Sequence, residues 1–366
     1  MKEFPVFAVA DDLSGAAETA VALSVRGTRS VVLLNARDSV ADVVVLDTDS
    51  RGLPPAAAHE TVLTALAGVR AGDRVFKKID SVLRGNVAAE VAALTARGYG
   101  VALTPALPVA GRTVVGGALR VAEDGWRANC ATSREVLPEA LTLGLDVVRG
   151  PALGDALAKA ADTCGVVVCD AETDADLDAL ACAAVHAPAT LALAGSGALA
   201  AALGRTRTPS GHETTAPPPS EKVLVVVGSA EPVAAAQVAR LTGCTVHSLD
   251  VAALLAGPVW IPRLRGVTVL CVAAADGIDP AVSAALARTV AAVPDWTDLV
   301  LVGGETARRV LDALGVGELE PFDQIHHGAV RSRTRDGRVV VTRPGSFGGP
   351  DSLAQIVRAL TERPSP

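Results

Sequence analysis

The chain has 366 residues, with 33 Lys and Arg against 40 Asp and Glu and a formal net charge of −7. That length is enough for about two ordinary domains. An aromatic fraction of 2% is too thin for the base-stacking platforms of single-strand binders, and the acidic balance has the wrong sign for a phosphate-backbone footprint, so composition argues against nucleic acid as a partner.

The first apolar run, PVFAVA (5–10), follows Lys2 and Glu3 and stops on two aspartates, so no secretory segment is read and the expected location is the cytoplasm. It has the look of a strand, and a helix is expected over 15–25. Between them lies Asp11-Asp12-Leu13-Ser14-Gly15. Two carboxylates at the C-terminal end of a strand can bind a metal, orient a hydroxyl or accept its proton, and Ser14-Gly15 lets a ligand approach the helix N-terminus. Asp12 is equally suited to cap that helix. Strands are expected at 29–35 and 42–48, the second ending in Asp47-Thr48-Asp49-Ser50-Arg51, and a helix at 56–70.

The chain holds five lysines (Lys2, Lys77, Lys78, Lys159, Lys222) against 28 arginines, and two of the five are neighbours in the strand VFKKID (75–80). Period-2 alternation puts Lys77 with Ile79 on one face and Lys78 with Asp80 on the other. Ser81 to Asn86 then turn into the next helix, with Arg84 available for an anion. Cations at the ligand-binding end of a sheet suit a carboxylate or a phosphate. A further strand, GVALTPA (100–106), leads to a proline-stiffened loop presenting Gly111-Arg112-Thr113. Strands at 165–171 and 190–195 complete a βαβ pattern, which implies a parallel sheet with ligands at its C-terminal edge. Loops at that edge supply Asp, Lys and Arg together, a set that fits a small anionic substrate.

Residues 182–204 carry no Asp, Glu, Lys or Arg, but His186, Pro188 and three glycines interrupt them, so no membrane span is expected. Gly195-Ser196-Gly197-Ala198-Leu199-Ala200 imitates a dinucleotide fingerprint, yet no second strand ending in an acid follows it. The six cysteines form no CxxC pair and read as small core residues, with Cys169 and Cys271 in valine-rich strands. Residues 205–221, with three consecutive prolines, read as a linker between an N-terminal domain (1–210) and a C-terminal domain (222–366).

The second half opens a new α/β pattern: a strand at 222–229, a helix near 231–242, strands at 243–250 and 266–273, a helix at 279–293 and a strand at 298–304. Three strands run into glycine turns, Gly228-Ser229, Gly303-Gly304-Glu305-Thr306 and Gly345-Ser346-Phe347-Gly348-Gly349. Such turns expose backbone N–H groups to phosphates, and three in one domain point to nucleotide binding. No Gly-Lys dipeptide exists, so there is no Walker A loop. His326-His327 reads as a solvated pair rather than a metal site, and no metal-ligating set is identified.

ADDLSGA, KKIDSVLRGN, TPALPVAGRT, the 228–229 turn, GGETA and PGSFGGPDSL occur in the order seen in the four-carbon acid sugar kinases. The chain resembles that family over nearly its whole length. The resemblance implies two α/β domains, each with a largely parallel sheet flanked by helices. It also implies an ATP- and Mg2+-dependent kinase that phosphorylates the terminal hydroxyl of a tetronate or 3-oxo-tetronate such as threonate or erythronate. By motif, Asp11, Asp12, Asp80, Arg84 and Arg112 surround the sugar acid, with Lys77 or Lys78 nearby, and Ser229, Gly303 to Thr306 and Gly345 hold the nucleotide. The expected catalytic set is Asp12 as base, Asp80 as second choice, and Lys78. Ser14, Arg51, Asn86 and Gly111 join the expected substrate site, and Gly348 the nucleotide site. Where the family reads Lys-Ser-Gly before Phe-Gly, this chain has Arg343-Pro344-Gly345-Ser346. Two alternatives remain, a kinase of the same build for another small hydroxy acid and a sugar-acid-binding protein without catalysis. Catalysis would bring the two domains together, and a homodimer is the default assembly.

Overall fold

The computed structural model describes residues 4–24, 28–34, 39–122, 133–208, 217–228, 231–272, 279–293, 296–345 and 347–362. The chain divides into two compact units, Met1–Val31 with Arg37–Glu213 and Val32–Ala36 with Thr214–Pro366. Both are α/β, as the sequence pattern implies.

In chain order the first unit contains strands β1 (Val6–Ala10), β2 (Ser30–Leu33, whose last two residues belong to the second unit), β3 (Val43–Asp47), β4 (Arg74–Lys78) and β5 (Gly100–Thr104). It continues with β6 (Arg112–Val115), β7 (Ala118–Val121), β8 (Leu141–Leu143), β9 (Val166–Cys169) and β10 (Leu191–Gly195). Its helices are α1 (Leu13–Leu23), α2 (Pro55–Ala65), α3 (Val87–Ala96), α4 (Ser133–Val136), α5 (Leu145–Val148), α6 (Leu153–Asp162), α7 (Asp174–His186) and α8 (Gly197–Arg205). The sheet runs β3-β1-β4-β10-β5-β9-β8, and every pairing in it is parallel. Helices cover both faces of such a sheet, so its strands are continuous apolar runs; all of β1 and β5 is buried. Helix starts are fixed by side-chain caps: Asp12 for α1, Thr173 with Asp176 in a capping box for α7, and Ser196 for α8.

Because the strands are parallel, the loops after β1, β3, β4, β5 and β10 leave one edge. Residues 11–12, 48–51, 79–86, 105–112 and 196 thereby become neighbours. The antiparallel hairpin β6–β7, which hydrophobic alternation did not announce, stands over this edge. It is tied to the end of β9 by a Val114–Ala171 bridge and by Asp170, which accepts N–H bonds from Gly116 (2.6 Å) and Gly117 (2.8 Å).

The second unit contains β11 (Lys222–Val227), β12 (Cys244–Leu249), β13 (Gly266–Val272), β14 (Asp298–Val302), β15 (Glu318–His326), β16 (Ala329–Thr334) and β17 (Val339–Arg343). Its helices are α9 (Pro232–Ala239), α10 (Val251–Ala256), α11 (Pro280–Ala291), α12 (Gly304–Ala313) and α13 (Ser352–Thr361). The order is β12-β13-β11-β14-β17-β16-β15, parallel as far as β17 and antiparallel beyond it. Valines 223, 225, 227, 300, 302, 339 and 341 form its core against Leu353, Ile356 and Leu360 of α13.

The described cysteines are free; Cys169 is buried in β9 as expected, whereas Cys164 and Cys182 are exposed rather than core residues, and Cys244 and Cys271 are partly buried. No described helix is long and apolar enough to cross a membrane.

Candidate active site

The edge of the first unit is organised around Arg51. Its Nε and Nη2 donate to the two oxygens of Asp11 at 2.7 and 3.0 Å, and its Nη1 donates to Asp12 Oδ2 at 2.7 Å. Register explains the meeting: Ala10, which precedes Asp11, lies between Asp47 of β3 and Lys78 of β4. Asp12 does two things at once. Its Oδ1 caps α1 through Gly15 N–H at 2.8 Å while Oδ2 faces Arg51. Gly15 has to be glycine, since a Cβ there would stand 2.6 Å from Asp12 Oδ1 and 3.3 Å from Lys78 Cγ.

The two neighbouring lysines leave β4 on opposite faces. Lys77 is fully buried and paired with Glu90 of α3 at 2.9 Å, and Glu90 also accepts from Ser50 Oγ at 2.5 Å. Lys78 lies 3.7 Å from Glu18 of α1 and donates to the Ile79 carbonyl at 3.0 Å. Lys77 is therefore an internal tie beneath the edge, whereas Lys78 stands beside Asp12. The alternation expected to bring Lys78 to Asp80 does not extend that far, because the strand ends at Lys78. Asp80 sits in the following turn and takes Arg84 instead, with Nη2 at 2.7 Å and Nε at 3.1 Å, together with the Val82 N–H at 2.9 Å.

That turn is tightly built. Leu83 (φ 61°) and Gly85 (φ 87°) are left-handed, and a Cβ on Gly85 would stand 3.2 Å from Asp11 Oδ2. Asn86 spends both amide hydrogens on the carbonyls of Ser50 (3.0 Å) and Leu53 (2.8 Å), fastening the loop that carries Arg51. Arg112, at the base of the hairpin, donates to Ser81 Oγ. Gly111 (φ 65°) forms the left-handed turn into that strand. Ser14 Oγ is buried without a hydrogen-bond partner among the described residues.

The three carboxylates differ in proton affinity. Burial drives Asp12 above the ordinary carboxylate range, and the adjacent Asp11 charge adds to the rise, against the pull of Arg51. Asp11 is buried too, but Arg51 and both lysines bring it below that range. Asp80 falls to about 2: burial opposes the shift, and the Arg84 hydrogen bond and charge outweigh it. A carboxylate depressed on folding stabilises the fold above its unfolded pKa and loses that contribution as pH falls through the folded value. Unfolding free energies from urea titrations between pH 4 and 2 should accordingly fall less steeply for Asp80→Asn than for the unaltered chain, by roughly 2 kcal/mol over that window.

In the second unit the glycine turns follow β11, β14 and β17, which are adjacent. Gly228 N–H donates to the Val302 carbonyl at 3.3 Å, Gly303 N–H to the Arg343 carbonyl at 2.8 Å, and Thr306 Oγ1 to the Gly228 carbonyl at 3.2 Å. A Cβ on Gly228 would lie 2.0 Å from Thr306 Oγ1, so only glycine allows this approach. Gly303 (φ 103°) opens α12 without a side-chain cap, which leaves the first N–H groups of the helix for an anion. Glu305 is exposed on that turn. Gly345 follows β17, and Gly348 (φ 85°) packs on Ser352. Ser229 lies outside the described residues. The His326-His327 turn is not simply solvated: His326 Nε2 is 2.8 Å from Ser352 Oγ, and His327 stacks on Phe347 with ring centroids 5.4 Å apart.

The profile of a sugar-binding N-terminal domain matches residues 6–203, and that of a nucleotide-binding C-terminal domain matches 265–353. A D-threonate kinase of Cupriavidus necator is 35% identical over 98% of each chain. The chain belongs to the four-carbon acid sugar kinase family. A D-threonate kinase of Bordetella bronchiseptica is 31% identical over 97% of each chain, and a 3-oxo-tetronate kinase of Cupriavidus necator is 30% identical over 96%. A Haemophilus influenzae protein of the DUF1537 family shares the fold, with a TM-score of 0.72 over 96% of this chain and 98% of its own at 22% identity. As a member of this kinase family the chain is a phosphotransferase with an alcohol group as acceptor.

Sequence motifs pointed to Asp11, Asp12, Arg51, Asp80 and Arg84, and the fold gathers these at one edge. Glu18 and Glu90, the partners of the two lysines, were not among the expected residues. Glu90 stands amid VAA and VAAL, and a lone acid inside so apolar a run was its one available signal.

Proposed function

We propose that the chain transfers the terminal phosphoryl group of ATP to the terminal hydroxyl of a four-carbon sugar acid, a tetronate or 3-oxo-tetronate. The observation that carries this reading is the carboxylate–guanidinium edge of the first unit, where Asp12 has raised proton affinity and stands beside Arg51 and Lys78. The full-length similarity to D-threonate and 3-oxo-tetronate kinases supports the substrate class. Asp12 is the residue we assign to accept the hydroxyl proton, since a base must be ionised at neutral pH yet hold a proton better than an ordinary carboxylate. Asp80, brought down to about 2, is a poor base and serves to hold Arg84. Lys78, Arg84 and Arg112 are the cations for the substrate carboxylate and the transferring phosphoryl, and the turns at 228, 303–306 and 345–348 are the cradle for ATP.

Among the described residues no three His, Cys, Asp or Glu side chains converge into a metal cage. Magnesium that arrives with ATP needs few protein ligands, being held mainly by phosphate oxygens and water, and the exposed Glu305 carboxylate fits that limited role. When bound, the ion supplies neutralisation of phosphate charge.

The reading is tested by ADP release against a panel of three- to six-carbon sugar acids. Turnover is expected on four-carbon acids with a terminal hydroxyl. Preference for another chain length would replace the substrate class, and sugar-acid binding without ADP release would reject catalysis.

A further inference from the structure

Arginines in this chain repeatedly use one edge of the guanidinium. Arg51 grips both oxygens of Asp11 through Nε and Nη2 at 2.7 and 3.0 Å, and Arg149 holds Asp176 through the same two nitrogens at the same two distances. These N–H groups are parallel and match the two oxygens of one oxyanion.

At Arg343 that edge is unmet. The side chain follows Val339 and Val341 on the face of β17 packed against α13, and it has no solvent exposure. Its Nη1 is saturated, donating to Gln237 Oε1 at 2.7 Å, Ser352 Oγ at 3.0 Å and the Phe347 carbonyl. Nε and Nη2 have no hydrogen-bond partner among the described residues. No described carboxylate offsets the charge, and burial alone brings the pKa down to about 10. A buried cation held by one nitrogen in this way presents its bidentate edge, unmet by any described residue, to the two oxygens of an anion.

We propose that the Nε/Nη2 edge of Arg343 receives two oxygens of a nucleotide phosphate group. The inference rests on the nucleotide-binding reading of the second unit. The strand that carries it ends at the nucleotide turns: the Arg343 backbone carbonyl accepts from Gly303 N–H at 2.8 Å, at the uncapped start of α12, while the guanidinium lies beside the Gly348 turn and Ser352 of α13. Gln237 fixes the guanidinium from the side, and its Nε2 also donates to the carbonyls of Gly348 (3.1 Å) and Gly349 (2.8 Å). A phosphate reaching a buried edge pairs as it sheds water, so the contact discriminates a charged nucleotide from its uncharged nucleoside. Gly348, where a Cβ would stand 3.4 Å from Nη1, puts no side chain over the guanidinium as the chain passes.

The test is titration calorimetry on the full chain and on Arg343→Lys and Arg343→Met, with ADP, adenosine, inorganic pyrophosphate and D-threonate as separate probes. Loss of two charge-assisted hydrogen bonds is expected to weaken ADP and pyrophosphate by roughly 100-fold or more in Arg343→Met, with adenosine and D-threonate within about two-fold of the unaltered chain. Arg343→Lys, a point charge without the fork, is expected to lose most of the same increment. Equal weakening of ADP and adenosine in a folded Arg343→Lys protein would show that Arg343 only braces its turn, and unchanged ADP affinity overturns the proposal outright. A selective loss of D-threonate affinity assigns the edge to the sugar acid's carboxylate and also overturns it. If the unaltered chain binds neither ADP nor pyrophosphate, the nucleotide reading itself fails, a result distinct from failure of Arg343 alone.

Discussion

Asp12→Asn is expected to lower turnover with a four-carbon acid by about two to four orders of magnitude, the range that general bases contribute, while leaving ADP affinity unchanged. The substitution is clean because it preserves the structural duty of the side chain. Asn caps helices about as well as Asp, so the bond from Gly15 N–H survives and the unfolding midpoint should move little. What is removed is the ability to take a proton. Steady-state ADP release alongside thermal unfolding reads both quantities. Unaltered turnover would reject Asp12 as the base, and a large fall in stability would mean that the charge pair with Arg51, rather than proton transfer, explains the loss.

The largest stability effect is expected at Glu90. Its carboxylate and the Lys77 ammonium are both essentially without solvent exposure. Removing one partner leaves an uncompensated buried charge, and Glu90→Leu should destabilise the chain by about 3–5 kcal/mol, measured by urea unfolding. The double variant Lys77→Met/Glu90→Leu replaces the pair with apolar groups of similar size. It should recover most of that loss, since desolvation of two ions largely cancels their attraction. A double variant as unstable as the single one would indicate that the Ser50 and Lys78-carbonyl hydrogen bonds, not the buried charge, dominate.

The parallel core was legible because most of its strands are apolar runs rich in valine and alanine and several of its helices begin at Asp, Ser, Thr or Pro, although α3 and α12 start at Asn86 and Gly303 without a side-chain cap. The β15–β16 hairpin was not: ELEPFDQIH and AVRSRT are rich in charge and broken by bulges at Pro321/Asp323 and Gln324/His326, so neither alternates cleanly. The site follows the same division. Residues at the C-terminal ends of strands could be placed together from topology alone, as Asp11, Asp12 and Arg51 show. Contacts that depend on where a strand stops could not, and Asp80 met Arg84 rather than Lys78 for that reason. Partners on helix faces, Glu18 and Glu90, carry no signature of which residue they meet, although Glu90 stands out as a lone acid in an apolar run. Their pairing is decided by the approach of α1 and α3 to the sheet.

The attachment of the β6–β7 hairpin carries an evolutionary consequence. Asp170 grips two successive backbone N–H groups at the hairpin's tip, while Arg112 sits at its base. The grip depends on glycine backbone rather than on the hairpin's side chains. Apart from Arg112 and the buried Val114 and Leu119, residues along its two strands are thereby released to vary without disturbing Asp11, Asp12 or Arg51, which hang from other strands. The arm and the proposed proton-accepting carboxylate are thus anchored on different strands, and a change in one leaves the anchorage of the other in place.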